Sequence, residues 1–191
     1  MDIRRTRTLL GAALLATAFA SVAQDPTWVA DARRAAGLVP AKLLTVLNEE
    51  IAKGGPEGAI SACREKAPEL AKAASAETGW NIRRVSLRNR NPRAVPDAWE
   101  QAVLEDFDRR AAAGENPATL EKAEIVTQEG KPSYRYMKAL PTQALCVACH
   151  GQPEQLSPAV RDKLRTLYPD DKAVGYRPGE IRGAITLRKA V

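Results

Sequence analysis

Apolar positions recur first at helical and then at strand spacing. Leu43, Leu44, Leu47 and Ile51 make one stripe at a 3.6-residue period. Helix is therefore predicted over about 27–54, divided at Pro40 and ended by Gly54-Gly55. A second helix is predicted over about 56–76, with Ile60, Cys63, Ala67, Leu70 and Ala74 on one face. Pro68 cannot donate to the Arg64 carbonyl and should kink or divide it. Residues 80–87 read as a strand whose alternation slips at Arg83-Arg84, which turns one of these arginines inward. Residues 96–113 read as an amphipathic helix, with Trp99, Val103, Phe107 and Ala111 on one face.

The second half of the chain changes period. Residues 123–128 and 133–140 read as strands around a Gly130-Lys131-Pro132 turn. A helix over 157–167 has Ser157 as its cap and Pro158 in its first turn. After a polar loop over 168–180 comes a last strand, with Ile181, Gly183, Ile185 and Leu187 on one face and Arg182, Thr186 and Arg188 on the other. Helices first, then strands with short links, predict an α+β domain: an antiparallel sheet flanked by helices, preceded by N-terminal helices. No internal repeat is present.

Residues 1–23 read as a secretory signal peptide rather than as part of the domain. Arg4, Arg5 and Arg7 precede an apolar run over 9–20, and Ser21-Val22-Ala23 offers a cleavage site. A retained membrane anchor is the alternative. The expected mature protein is one domain, residues 24–191, exported to the periplasm and without a membrane segment. The full chain's apolar fraction of 45% suffices for a core, but aromatics are only 5%, so a bulky bound group would fill space that rings normally fill. The net charge is +6, and losing one acid and three arginines with residues 1–23 leaves +4. That mild excess hints at an acidic partner surface. No basic run alternates with aromatics, which argues against a nucleic-acid partner.

The chemistry concentrates in Cys146-x-x-Cys149-His150, the attachment signature of a c-type haem. Each thiol adds across one vinyl group, so the two sulfurs must lie about one helical turn apart, as i and i+3 do. His150 can then ligate the iron from the same side. It is the only histidine in 191 residues. Two alternatives stand beside haem. One is a Cys146–Cys149 disulfide or redox thiol pair. The other is a zinc site built from Cys63, Cys146, Cys149 and His150, though adjacent ligands suit one tetrahedral centre poorly. If haem is bound, the sixth ligand is Met137, Cys63 or nothing. Cys63 is the cysteine left over after two linkages, and an unpaired thiol in an oxidising compartment must be buried or ligated.

Several runs carry a resemblance. They are Ser61-Ala62-Cys63, Thr78 to Leu87, Arg90-Asn91-Pro92, Pro96 to Glu100, Tyr134 to Ala139, Cys146 to Gly151, Tyr168 to Asp171, and Gly175 to Ala184. In this order they resemble the PAS-like c-type haem domain family, from about residue 40 to the end. The resemblance implies a PAS-like sheet flanked by helices and one covalent haem c. It implies iron held by the motif histidine and, from the opposite side, an upstream cysteine: His150 and Cys63. Many relatives place this domain ahead of a membrane helix and a signalling output, which this sequence lacks, so a free-standing module is expected. Arg83, Arg84, Arg90 and Lys138 are candidate partners for the haem propionates, and Tyr134, Tyr136 and Tyr176 could also donate. The expected protein is a periplasmic mono-haem cytochrome that senses redox state or a small ligand, or passes electrons to a partner protein. A peroxidase-type enzyme is the alternative, weakened by the lack of a second histidine.

Overall fold

The computed structural model describes residues 25–191, so the expected signal peptide lies outside the described residues. Helix α1 (Thr27–Thr78) is the scaffold. Its residues leave helical geometry only at Gly54 and at Gly55, whose φ 69°, ψ 179° is a conformation essentially restricted to glycine. There the helix doubles back. Val29, Ala32, Ala35, Ala36 and Val39 of the first half share one core cluster with Ala74 of the second, and Lys42 reaches Glu77 at 3.8 Å. The expected division at Pro40 does not occur, and Pro68 does not divide the second half. Proline's fixed φ is close to the helical value, so each ring can be carried at the loss of one hydrogen bond.

Four strands follow the order β1-β4-β3-β2, all antiparallel: β1 (Asn81–Val85), β2 (Glu121–Gln128), β3 (Lys131–Pro141) and β4 (Ile181–Ala190). The α+β class and the antiparallel sheet flanked by helices are as expected. The β2–β3 turn is tighter than expected, because Gln128 pairs directly with Lys131.

Strand alternation gives the sheet two covered faces. Ile82, Tyr136, Ile185 and Leu187 meet the first half of α1 and Trp80. Val85, Met137, Ala139 and Ala184 meet Val103, Leu104 and Phe107 of α2 (Ala98–Ala112). Helix α2 begins with a capping box, Asp97 accepting from Glu100 N and Glu100 accepting from Asp97 N, both at 2.8 Å. Buried Glu100 also accepts from Thr186 Oγ1 at 2.9 Å and pairs with Arg83 and Arg135, which ties the helix start to the sheet. Ser75 Oγ accepts from Ile82 N at 3.0 Å, stitching the end of α1 to edge strand β1.

The last strand departs from the expected alternation. Gly183 has φ 134°, and the β3–β4 register shifts between Ala139 and Pro141. The pleat changes phase there. Ile181 joins the α2 side, away from Ile185 and Leu187, and Arg182 turns to the α1 side. Two short helices complete the chain: α3 (Val147–His150), entered through a 3-10 turn over Ala144–Cys146, and α4 (Pro158–Leu167), capped by Ser157. None of the described helices is long and apolar enough to cross a membrane.

Candidate functional site

The two halves of α1, the α1-facing side of the sheet and α3 enclose a cavity of about 490 Å³. That lies within the size range of cofactor pockets, roughly 300–1,000 Å³. The predicted stripe Leu43, Leu44, Leu47 and Ile51 lines one wall, and Ile82 and Ile185 line the sheet side. Cys63, Cys146, Cys149 and His150 all border this space. The structure therefore brings the upstream cysteine and the Cys-x-x-Cys-His motif, more than eighty residues apart in sequence, to one cavity.

His150 is held by its neighbours. Its Nδ1 lies 2.6 Å from the Ala173 carbonyl and its Nε2 3.3 Å from Arg182 Nη1. Burial, followed by the charges of Arg182 and Arg90, holds the imidazole well below its ordinary range, so it is neutral near pH 7. A neutral ring whose Nδ1–H donates to Ala173 keeps its lone pair on Nε2. The loop over 168–180 latches onto the motif: Gly175 N donates to Gly151 O at 2.7 Å and Tyr176 N to His150 O at 2.9 Å.

Arg90 and Asp171 form a mostly buried ion pair at 2.9 Å behind this arrangement. Arg90 also donates to Cys149 O at 2.6 Å, and Asp171 accepts from Ala173 N at 2.8 Å. The pair thus grips both the attachment motif and the residue whose carbonyl receives His150.

The three cysteines are free thiols. Burial pushes Cys149 up to about 11, and its Sγ points to Pro56 O at 3.8 Å. Burial also raises Cys63, against the pull of Arg182, Arg90 and Arg84. The disulfide alternative therefore gains no support. Nor does zinc, because among the described residues no three His, Cys, Asp or Glu side chains gather as a metal site.

The other candidates separate. Arg84 lines the cavity and is half-buried; burial and then Arg182 pull it down to about 9, which leaves it charged near neutral pH. Arg83 borders the cavity, but its guanidinium is committed to Glu100 and to the Arg93 and Val95 carbonyls. Tyr136 and Lys138 lie outside the lining. Tyr136 donates to Glu121 at 2.7 Å, and Lys138 pairs with the same carboxylate at 3.6 Å. Tyr134 stacks on Trp28, and Tyr176 lies under Arg88. Met137 is fully buried in the α2 cluster, on the face of the sheet away from the cavity, and so cannot reach the site.

Arg182 is the functional residue that alternation hid. It was expected outward with Thr186 and Arg188, and the distortion at Gly183 was the one available signal. It borders the cavity beside Arg84, and the two residues' Nε atoms are buried with no partner. Such orphaned donors fit an anionic group on the ligand.

No curated protein matches the chain. The crystal structure of the cyanobacterial haem protein Tll0287 is similar at a TM-score of 0.57 and 24% identity, over 84% of this chain and 90% of that one. At that identity the likeness speaks for the fold. The family model described as Tll0287-like matches residues 8–189. The chain belongs to the Tll0287-like family.

Proposed function

We propose that this protein is a mono-haem c-type cytochrome, exported to the periplasm by residues 1–23, that transfers electrons or senses redox state rather than catalysing a reaction. One observation carries the reading: the single histidine, anchored through Nδ1 at the Ala173 carbonyl and with Nε2 beside Arg182, borders the same cavity as the two motif thiols and Cys63. Cys146 and Cys149 would form the thioethers, His150 and Cys63 would ligate the iron, and Arg84 and Arg182 would receive the propionates. When bound, the haem supplies one-electron redox chemistry, and a thiolate ligand favours the oxidised state. The likeness to a cyanobacterial haem protein supports the assignment.

The chain's own contribution is orientation and electrostatics. The Ala173 carbonyl fixes the His150 tautomer and increases the basicity of Nε2. Three buried or mostly buried arginines, Arg84, Arg90 and Arg182, offset the negative charge of a thiolate at Cys63. The apolar stripe of α1, Leu43, Leu44, Leu47 and Ile51, would keep water away from a bound haem.

The test is absorption and electron paramagnetic resonance spectroscopy of the protein matured in a host that assembles c-type cytochromes, beside Cys63→Ser. A low-spin ferric spectrum with thiolate character that vanishes in the variant is expected. A colourless wild-type protein with free motif thiols would refute the haem reading, and an unchanged spectrum in Cys63→Ser would refute the second ligand. Rapid peroxide turnover would refute the non-enzymatic reading.

A further inference from the structure

The cavity lining is electrically one-sided. Among the described residues it includes no Asp or Glu, although the chain carries 23 acids against 29 bases. Apart from Arg83, which is paired with Glu100, its cations fall into two sets. Arg84, Arg90 and Arg182 are turned inward and serve the site already described. Arg64, Lys72 and Arg93 border the same cavity but are exposed. Among the described residues no ion pair forms at these three, whereas their neighbours Lys66 and Arg83 are paired with Glu69 and Glu100. The carboxylates of α1, Glu65 and Glu69 included, fall outside the lining, so the charge bordering the cavity itself is positive.

We infer that Arg64, Lys72 and Arg93 form a docking surface at the mouth of the cavity for an acidic redox-partner protein. The inference rests on the haem reading and adds to it the face through which electrons pass. Exposed cations are hydrated and mobile, so they contribute little to fold stability. Their field adds instead, and charge of one sign lining a low-dielectric cleft steers an oppositely charged partner by about ten- to a thousand-fold in association rate at low salt. Of possible partners, an acidic protein is favoured because the three exposed cations border the cavity proposed to hold the cofactor, and among the described residues no carboxylate lines it.

The test compares haem-loaded wild type with the triple variant Arg64→Glu, Lys72→Glu, Arg93→Glu. A control reverses Lys131, Arg109 and Arg188, which are exposed and lie outside the cavity lining. The ferrous protein is oxidised by an acidic plastocyanin and by a basic mitochondrial cytochrome c across a salt series. Wild type and control should react faster with the acidic acceptor, and added salt should slow them. The triple variant should lose about tenfold or more with that acceptor at low salt and gain with the basic one. Equal salt dependence in all three proteins would overturn the proposal. So would rim-dependent binding to phosphatidylglycerol vesicles with unaltered plastocyanin kinetics, because the surface would then be a lipid contact. If the triple variant loses haem, Lys72→Glu alone carries the test with a smaller shift of the same sign. A wild-type protein without haem absorbance fails the haem reading, and this proposal with it, and is told apart by that missing absorbance.

Discussion

Asp171→Ala probes the linkage behind the histidine. The substitution removes the carboxylate from a pair whose side chains are each only 10% exposed. Breaking a buried pair by removing one partner costs about 3–5 kcal/mol, because the remaining charge is left without compensation. Arg90 keeps the Cys149 carbonyl at 2.6 Å and the Ala173 carbonyl at 3.4 Å, which places the loss near the lower end, about 3 kcal/mol. In a chain of this size each kcal/mol is worth about 2–4 °C, so the unfolding midpoint of the haem-loaded protein should fall by roughly 6–12 °C. Circular dichroism at neutral pH, with wild type and variant both haem-loaded, measures it. Arg109→Ala, which breaks an exposed pair, should stay within about 0.5 kcal/mol. A second readout separates local from general damage. Asp171 also accepts from Ala173 N, so freeing that residue loosens the carbonyl on His150 and should shift the haem reduction potential, which Arg109→Ala leaves in place. A variant of Asp171 that melts within about 1 °C of wild type, at an unchanged potential, would refute the linkage.

Three further outcomes follow from the same structure. Glu121 is held down to about 2, chiefly by the Arg33 hydrogen bonds and also by Tyr136. Its stabilisation is therefore present above about pH 4.5 and fades as the pH falls toward 2. Arg33 is 43% exposed, which limits the effect to about 1–2 kcal/mol, and Glu121→Gln should flatten the acid limb of a stability–pH curve by that amount. Met137→Leu should leave haem absorption unchanged and cost less than about 1.5 kcal/mol in denaturant unfolding; an altered spectrum would contradict the placement of Met137 behind the sheet. Gly183→Ala should destabilise by about 2–5 kcal/mol, because its φ is 134° and a Cβ would lie 2.3 Å from the Val85 carbonyl.

Much of the site was legible because its chemistry is local. The motif spacing at Cys146, Cys149 and His150 needs no tertiary information, and the placement of Cys63 on an apolar helical face is a period argument. The slip at Arg83-Arg84 was also informative. It split two adjacent arginines between the sheet's faces, Arg84 toward the cavity and Arg83 toward Glu100. The pairings across long loops were not legible. Nothing near Asp171 in sequence says that its partner is Arg90, and Tyr136 and Lys138 carried no mark of their joint attachment to Glu121. Pro40 misled because propensity counts the lost hydrogen bond, whereas the packed face of α1 compensates for it. Arg182 was missed because a backbone irregularity overrode side-chain alternation.

The phase change at Gly183 bears on whether this pocket can be moved to another scaffold. A regular pleat delivers successive side chains to opposite sides without exception, so a grafted strand would send its inner cation into the apolar layer on the far side and its apolar neighbour into the cavity. Any transplanted version must carry the kink along with the cavity-lining residues, and a smooth, idealised sheet will not reproduce the site however faithfully the proposed ligands are copied.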